Sequence, residues 1–135
     1  MVEPVLTYGS EVWVADNNTS QKLLSTEMMY WRRCSGLTLL DHVKNETIRK
    51  NMEVKHTITD TITEKQLKWY GHLQRMSEER IPLKVANWIP AQRNKRGRPR
   101  KKWISNIRAE MENRGLQEGD WTDKKRWRLG CEKRH

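Results

Sequence analysis

The densest group of chemically distinctive side chains lies between Gln92 and Met111, in QRNKRGRPRKKWISNIRAEM. Arg93, Lys95, Arg96, Arg98, Arg100, Lys101 and Lys102 follow one another there without an intervening carboxylate. Guanidinium and ammonium groups at this density do one kind of chemistry: they neutralise phosphates and release the counterions condensed on a polyanion. Lys124, Lys125, Arg126 and Arg128 supply a second basic surface. The expected nucleic-acid contacts are therefore Arg93, Lys95, Arg96, Arg98, Arg100, Lys101 and Lys102, with Lys124, Lys125 and Arg128 as auxiliaries.

Other chemistries find less support. The chain has no GxSxG, no phosphate-binding P-loop, no HExxH and no paired aspartates of the kind that hold two metals. No catalytic residue is assigned, and the chain alone is expected not to be an enzyme. Cys34 and Cys131 are far apart, and His42, His56, His72 and His135 stand singly, so no metal or other cofactor is expected. Arg96-Gly97-Arg98-Pro99 also matches the core of an AT-hook, in which glycine permits close approach to the minor groove and arginines sense its negative potential. Tryptophans can stack on bases. Trp31, Trp69 and Trp103 fall on apolar helical faces and read as core, whereas Trp88 and Trp121 are the open candidates for stacking.

The elements that must position these residues are helical. Trp103, Ile104, Ile107 and Met111 recur at helical spacing, and Pro99 suits a first turn, which predicts a helix from Pro99 to about Asn113 stopped by Gly115. Asp120 or Thr122 would cap a last helix carrying Trp127 and Cys131. Upstream, Leu24, Met28 and Trp31 predict a helix from Gln21 to about Cys34, preceded by capping residues from Asp16 and ended near Gly36. Thr38 to Asp41 resembles a capping start, and Asn45 would cap a short helix through Ile48 and Met52. A central helix should begin near Thr59 or Thr61 and run through Ile62, Trp69, Leu73 and Met76, with Leu67 and Tyr70 beside that line. Gly71 inside it predicts close approach of another backbone, since a mid-helix glycine costs about 1 kcal/mol relative to alanine. Between Pro82 and Pro90, helix and extended chain are equally supported.

The expected fold is thus mainly α, a small irregular domain of four to six helices with a basic loop. Its expected divisions are an extended or irregular lead-in over residues 1–20, a helical region over 21–78, a proline-bracketed connector and basic loop over 79–98, and two basic helices over 99–135. Leu, Ile, Val and Phe supply only 25 of 135 residues, too few for a generous core at a net charge of +10. Seven tryptophans offset this, each able to bury roughly 200 Å². Residues 1–60 carry seven Lys/Arg against eight Asp/Glu, and residues 61–135 carry twenty against nine, so the whole positive excess sits in the second part. No apolar run reaches the ~20 residues a membrane span needs, and the N-terminus lacks the pattern of a secretory signal. An intracellular location, nuclear or cytoplasmic, is expected, with no membrane partner.

Taken in order, Tyr8-Gly9-Ser10-Glu11-Val12-Trp13, Trp31-Arg32-Arg33, Trp69-Tyr70-Gly71-His72-Leu73-Gln74-Arg75-Met76, Gly97-Arg98-Pro99-Arg100-Lys101-Lys102-Trp103 and Trp127-Arg128 form a set. It resembles the carboxy-terminal region of non-LTR, LINE-like retrotransposon endonuclease-reverse transcriptases of the RTE type. The resemblance implies a segment covering the thumb and the region downstream of it, which would help hold RNA and DNA beside an RNA-directed DNA polymerase. The family's endonuclease and aspartate-bearing palm have no counterpart here, so no catalytic residue carries over. The implied partners are RNA or DNA and the rest of a reverse transcriptase, and a fragment separated from that partner would have a sparse core. Two further readings are an AT-hook architectural protein and a helical protein-interaction module.

Overall fold

Every regular element among the described residues is helical. The computed structural model describes residues 3–14, 16–88, 97 and 101–132. Seven α-helices follow in order: α1 Glu3–Leu6, α2 Asn17–Cys34, α3 Asn45–Asn51, α4 Ile58–Gln74, α5 Ile81–Asn87, α6 Trp103–Asn113 and α7 Lys124–Cys131. Single 3-10 turns lie at Ser10–Val12, Leu39–Asp41 and Asp120–Thr122. The architecture is mainly α, as expected, but the helix number exceeds four to six. The additions are short: α1 is one turn, and α5 occupies the stretch after Arg80, where Pro82 sits in a first turn that needs no amide donor.

The chain divides into two units, one of Met1–Ser10 with Ala15–Ile62, the other of Glu11–Val14 with Thr63–His135. In the first, Asp16 caps α2 by accepting the Thr19 amide at 2.7 Å, and Arg32 and Arg33 fall in the last turn, where the helix dipole favours cations. The helix closes in a Schellman motif: Leu37 N–H donates to Arg32 O at 2.9 Å, Gly36 N–H to Arg33 O at 3.1 Å, and Gly36 takes φ 67°. The Thr38–Asp41 capping box forms as its sequence suggests. Asn45, however, does not cap α3. Its side chain accepts the Arg32 guanidinium at 2.7 Å, the same group that donates to Val43 O at 2.8 Å, and Lys44 becomes an N-cap without a side-chain bond.

Met28, Ile48, Ile58 and Ile62 are the buried apolar residues of this unit. Among them Glu27 receives the Ile58 amide at 3.1 Å and faces Arg49 at 3.6 Å. Burial pushes its carboxyl above the ordinary range, against the opposing pull of Arg49. Thr57 and Asp60 exchange hydrogen bonds at the start of α4, which sets its first residue at Ile58, beside Thr59 and not at Thr61.

The second unit is built around an aromatic core from α4, α6 and α7: Leu67, Tyr70, Ile107, Met111, Trp127 and Cys131, with Trp103, Ile104, Leu116 and Trp121 packed against it. Trp127 is the largest fully buried side chain in the chain. Its indole lies against α4 at Gly71, where a Cβ would meet Nε1 at 2.2 Å and Cδ1 at 2.6 Å. The indole N–H donates to Leu67 O at 3.0 Å, one turn back along α4. The close approach expected at Gly71 is therefore real, but the neighbour is an indole and not a backbone. Magnitudes explain the exchange: glycine costs the helix about 1 kcal/mol, and a fully buried tryptophan is worth about 3–5 kcal/mol against alanine.

Segment Glu11–Val14 is pinned to the same unit by two side chains, Gln66 Nε2 donating to Trp13 O at 3.0 Å and Trp103 Nε1 to Glu11 O at 2.8 Å. Helix α6 begins at Trp103, not Pro99, with Lys102 in extended conformation as its N-cap. Pro99, Ile89 and Pro90 lie outside the described residues. At its other end Gly115 takes φ 66° and Leu116 N–H returns to Met111 O at 2.8 Å, the stop expected of that glycine.

Gly71→Ala tests the packing directly. The substitution favours the isolated helix but forces a methyl into a ring held on all sides, so a net loss of about 1–3 kcal/mol is expected in denaturant unfolding. A variant as stable as the parent would mean that the indole is not seated there.

Candidate nucleic-acid interface

The described part of the cationic surface has a definite construction. Helix α7 is amphipathic: Trp127 and Cys131 are buried, while Lys124, Lys125, Arg126 and Arg128 are exposed. Its start is fixed by Asp123, whose carboxylate accepts the Lys125 amide at 2.9 Å and the Arg126 amide at 3.1 Å. Asp120 and Thr122 do not cap it, because Asp120 is engaged elsewhere: it accepts the Gln117 amide at 2.8 Å and faces Arg126 at 3.4 Å. Arg75 closes the loop from the other side, donating to Trp121 O at 2.7 Å, and Arg114 donates to Cys131 O. The helix is held at both ends.

These contacts sort the cations. Arg126 faces Asp120 at 3.4 Å and Arg128 faces Glu132 at 3.9 Å, both from exposed positions where such pairings are worth little in water. Among the described residues Lys124 and Lys125 make no ion pair. Lys101 and Lys102 are exposed just ahead of α6, and Lys102 O accepts the Ser105 amide at 3.1 Å. Four of the expected lysines thus stand at or before the first turns of α6 and α7, the ends where the helix dipole is positive and cations are unfavourable. Neither helix carries an acidic residue in its first turn. At α7 the Asp123 carboxylate, bonded to the Lys125 and Arg126 amides, offsets part of that cost; at α6 no carboxylate caps the helix.

Arg93, Lys95, Arg96, Arg98 and Arg100 lie outside the described residues. Gly97, between them, is exposed at φ 134°, with open space around it. A shallow groove lined by Leu116, Asp120, Asp123, Lys125 and Arg126 mixes both signs of charge, and its two carboxylates make it a poor phosphate pocket.

The aromatic residues fall differently from their sequence reading. Tyr70, placed beside the core line of α4, is its centre: its ring lies 5.6 Å from Trp121, 6.2 Å from Trp103 and 6.4 Å from Trp127. Burial raises its hydroxyl's pKa. Trp121 also stands edge-on to Trp127 at 6.1 Å, so its role is packing and not stacking on a ligand. Trp31, Trp69 and Trp103 are half-buried, whereas Trp88 is 70% exposed. Leu67 and Tyr70, which broaden the buried face of α4 in the sequence pattern, are both buried.

Among the described residues no three His, Cys, Asp or Glu side chains come together as metal ligands, and no helix is long and apolar enough to cross a membrane. Cys34 is exposed and Cys131 buried.

No protein-family model matches the chain. No solved structure matches it. The chain is similar to an uncharacterized transposon-derived protein of Caenorhabditis elegans, with 28% identity over 118 residues. That match takes in 84% of this chain and 42% of the relative, so the chain spans about two fifths of the length of the curated protein it matches.

The buried end of α7 has a chemical signature. Burial pushes the Cys131 thiol up to about 11, from an ordinary value of 9.0. The unfolded chain therefore loses this proton before the folded chain does. Its contribution to stability is complete below about pH 9 and is lost as the pH rises towards 11. In thiol labelling of the native chain Cys34 should react at once and Cys131 only on unfolding; equal labelling of both would contradict the burial of α7.

Proposed function

We propose that this chain is a nucleic-acid-binding segment from the carboxy-terminal region of a non-LTR retrotransposon reverse transcriptase, without catalytic activity of its own. It contacts RNA or DNA phosphates through Arg93, Lys95, Arg96, Arg98, Arg100, Lys101 and Lys102, with Lys124, Lys125 and Arg128 as a second surface. The observation that carries the reading is α7, where Lys124 and Lys125 are exposed and make no ion pair among the described residues, while Trp127 and Cys131 lock the helix into the core. Similarity to a transposon-derived protein agrees with it, as does the ordered set of motifs from Tyr8 to Arg128. The remainder of such an enzyme would supply polymerase chemistry and further packing surface.

A minor-groove hook is the second reading, supported by the open surroundings of Gly97 within Arg96-Gly97-Arg98-Pro99. It differs in requiring A·T-rich duplex.

Binding to labelled RNA and DNA across a salt series tests both. On the first reading affinity falls by about 0.7–0.9 log units per log unit of salt for each phosphate contacted. Replacing Arg96, Arg98 and Arg100 together by alanine should flatten that slope by about 2–3. A salt-independent affinity, or a triple variant that binds as the parent does, rejects it. Preference for A·T-rich duplex over RNA and G·C-rich duplex, abolished by Gly97→Ala, would select the hook instead.

A further inference from the structure

Helix α5 presents an apolar edge to solvent. Ile81 is 74% exposed, Val85 65% and Trp88 70%, at positions i, i+4 and i+7, while Leu83 is the buried residue of the helix. Trp88 is the C-cap, its backbone N–H donating to Val85 O at 3.2 Å, so the main chain that carries the indole is fixed. The other six tryptophans are all buried or half-buried. One indole out of seven has been left outside, and a bare indole in water forfeits the burial that stabilises the others.

Its setting in the chain points to the occupant. Between Glu79 and Glu110 there is no carboxylate, and among the described residues of that stretch Arg80, Lys84, Lys101, Lys102 and Arg108 are all exposed. Packing against further protein would account for Ile81 and Val85, but it would not select such a run of charge beside the indole. A polyanion would. Duplex nucleic acid offers phosphates but keeps its base faces stacked on one another, whereas a single strand offers phosphates and free base faces together.

We propose that Trp88 is a stacking platform for an unpaired base, and that the substrate class of the basic surface is single-stranded nucleic acid. This rests on the phosphate-binding reading of the basic surface and adds a preference that the reading does not contain. Cations hold the backbone, and the indole discriminates single strand from duplex.

The test measures binding of the full chain and its Trp88→Ala, Trp88→Tyr and Trp88→Leu variants to a labelled single strand of about 20 nucleotides and to the duplex of the same sequence. The parent should prefer the single strand. Trp88→Ala should weaken single-strand binding by about tenfold or more with an unaltered salt slope, because stacking and not a phosphate contact is lost. Tyrosine should restore most of the affinity and leucine little, and equal thermal midpoints would show that this surface residue leaves the fold intact. Parent-like single-strand binding by Trp88→Ala overturns the proposal, as does an equal loss on duplex. Rescue by leucine overturns it too, because an apolar side chain without a ring would then suffice. A parent chain that binds neither polymer instead rejects the phosphate-binding reading on which the proposal stands.

Discussion

The second unit depends on one fit: the Trp127 indole lying across α4 where Gly71 has no side chain, with its N–H on the Leu67 carbonyl. A chain so poor in branched aliphatics must draw its cohesion from a few large rings, and this is the largest of them to be wholly enclosed. Burial of the ring fixes the rotation of α7. Once Trp127 points inward, Lys125 must point outward, while Lys124 is exposed where it opens the helix and Arg128 is exposed on its flank.

Charge is then placed where the fold does not need it. In α2 the basic residues lie in the last turn, as the dipole prefers, but at α6 and α7 lysines precede or open the helix. Arg126 shows what internal neutralisation looks like, drawn towards Asp120 with its loop cross-braced by Arg75. Lys124 and Lys125 have no such counterpart among the described residues. A positive surface anchored to an aromatic core is a rigid presentation of charge, and the proposed nucleic-acid contact would use it.

Much of this was legible in the residues. Gly36 ends α2, Gly115 ends α6, the Thr38–Asp41 box forms, and Gly71 marks a close approach, because each rests on local backbone chemistry that a few neighbours determine; α2 itself starts at Asn17 rather than Gln21, since Asp16 is the residue that caps it. What escaped depended on tertiary competition. Asn45 has the chemistry of a cap but is taken by Arg32, and Asp120 is taken by Arg126 and the Gln117 amide, which leaves capping of α7 to Asp123. Periodicity drew the core line of α4 through Trp69, yet Tyr70 is the ring that meets Trp103, Trp121 and Trp127, a choice made by the helices opposite. Of the candidate interface, the exposure of Lys124, Lys125 and Arg128 agrees with a second basic surface, whereas the approach of Arg126 to Asp120 depends on the fold of the preceding loop.

Exchange of the indole N–H protons, followed by NMR in deuterated solvent, measures the central constraint residue by residue. Trp127, buried and bonded to Leu67 O, should be the slowest of the seven, and the amides of α7 should be protected with it, while Trp88 should exchange at once. A Trp127 proton that exchanges as fast as that of Trp88 would contradict the account, for the lysines of α7 would then have no fixed face to present.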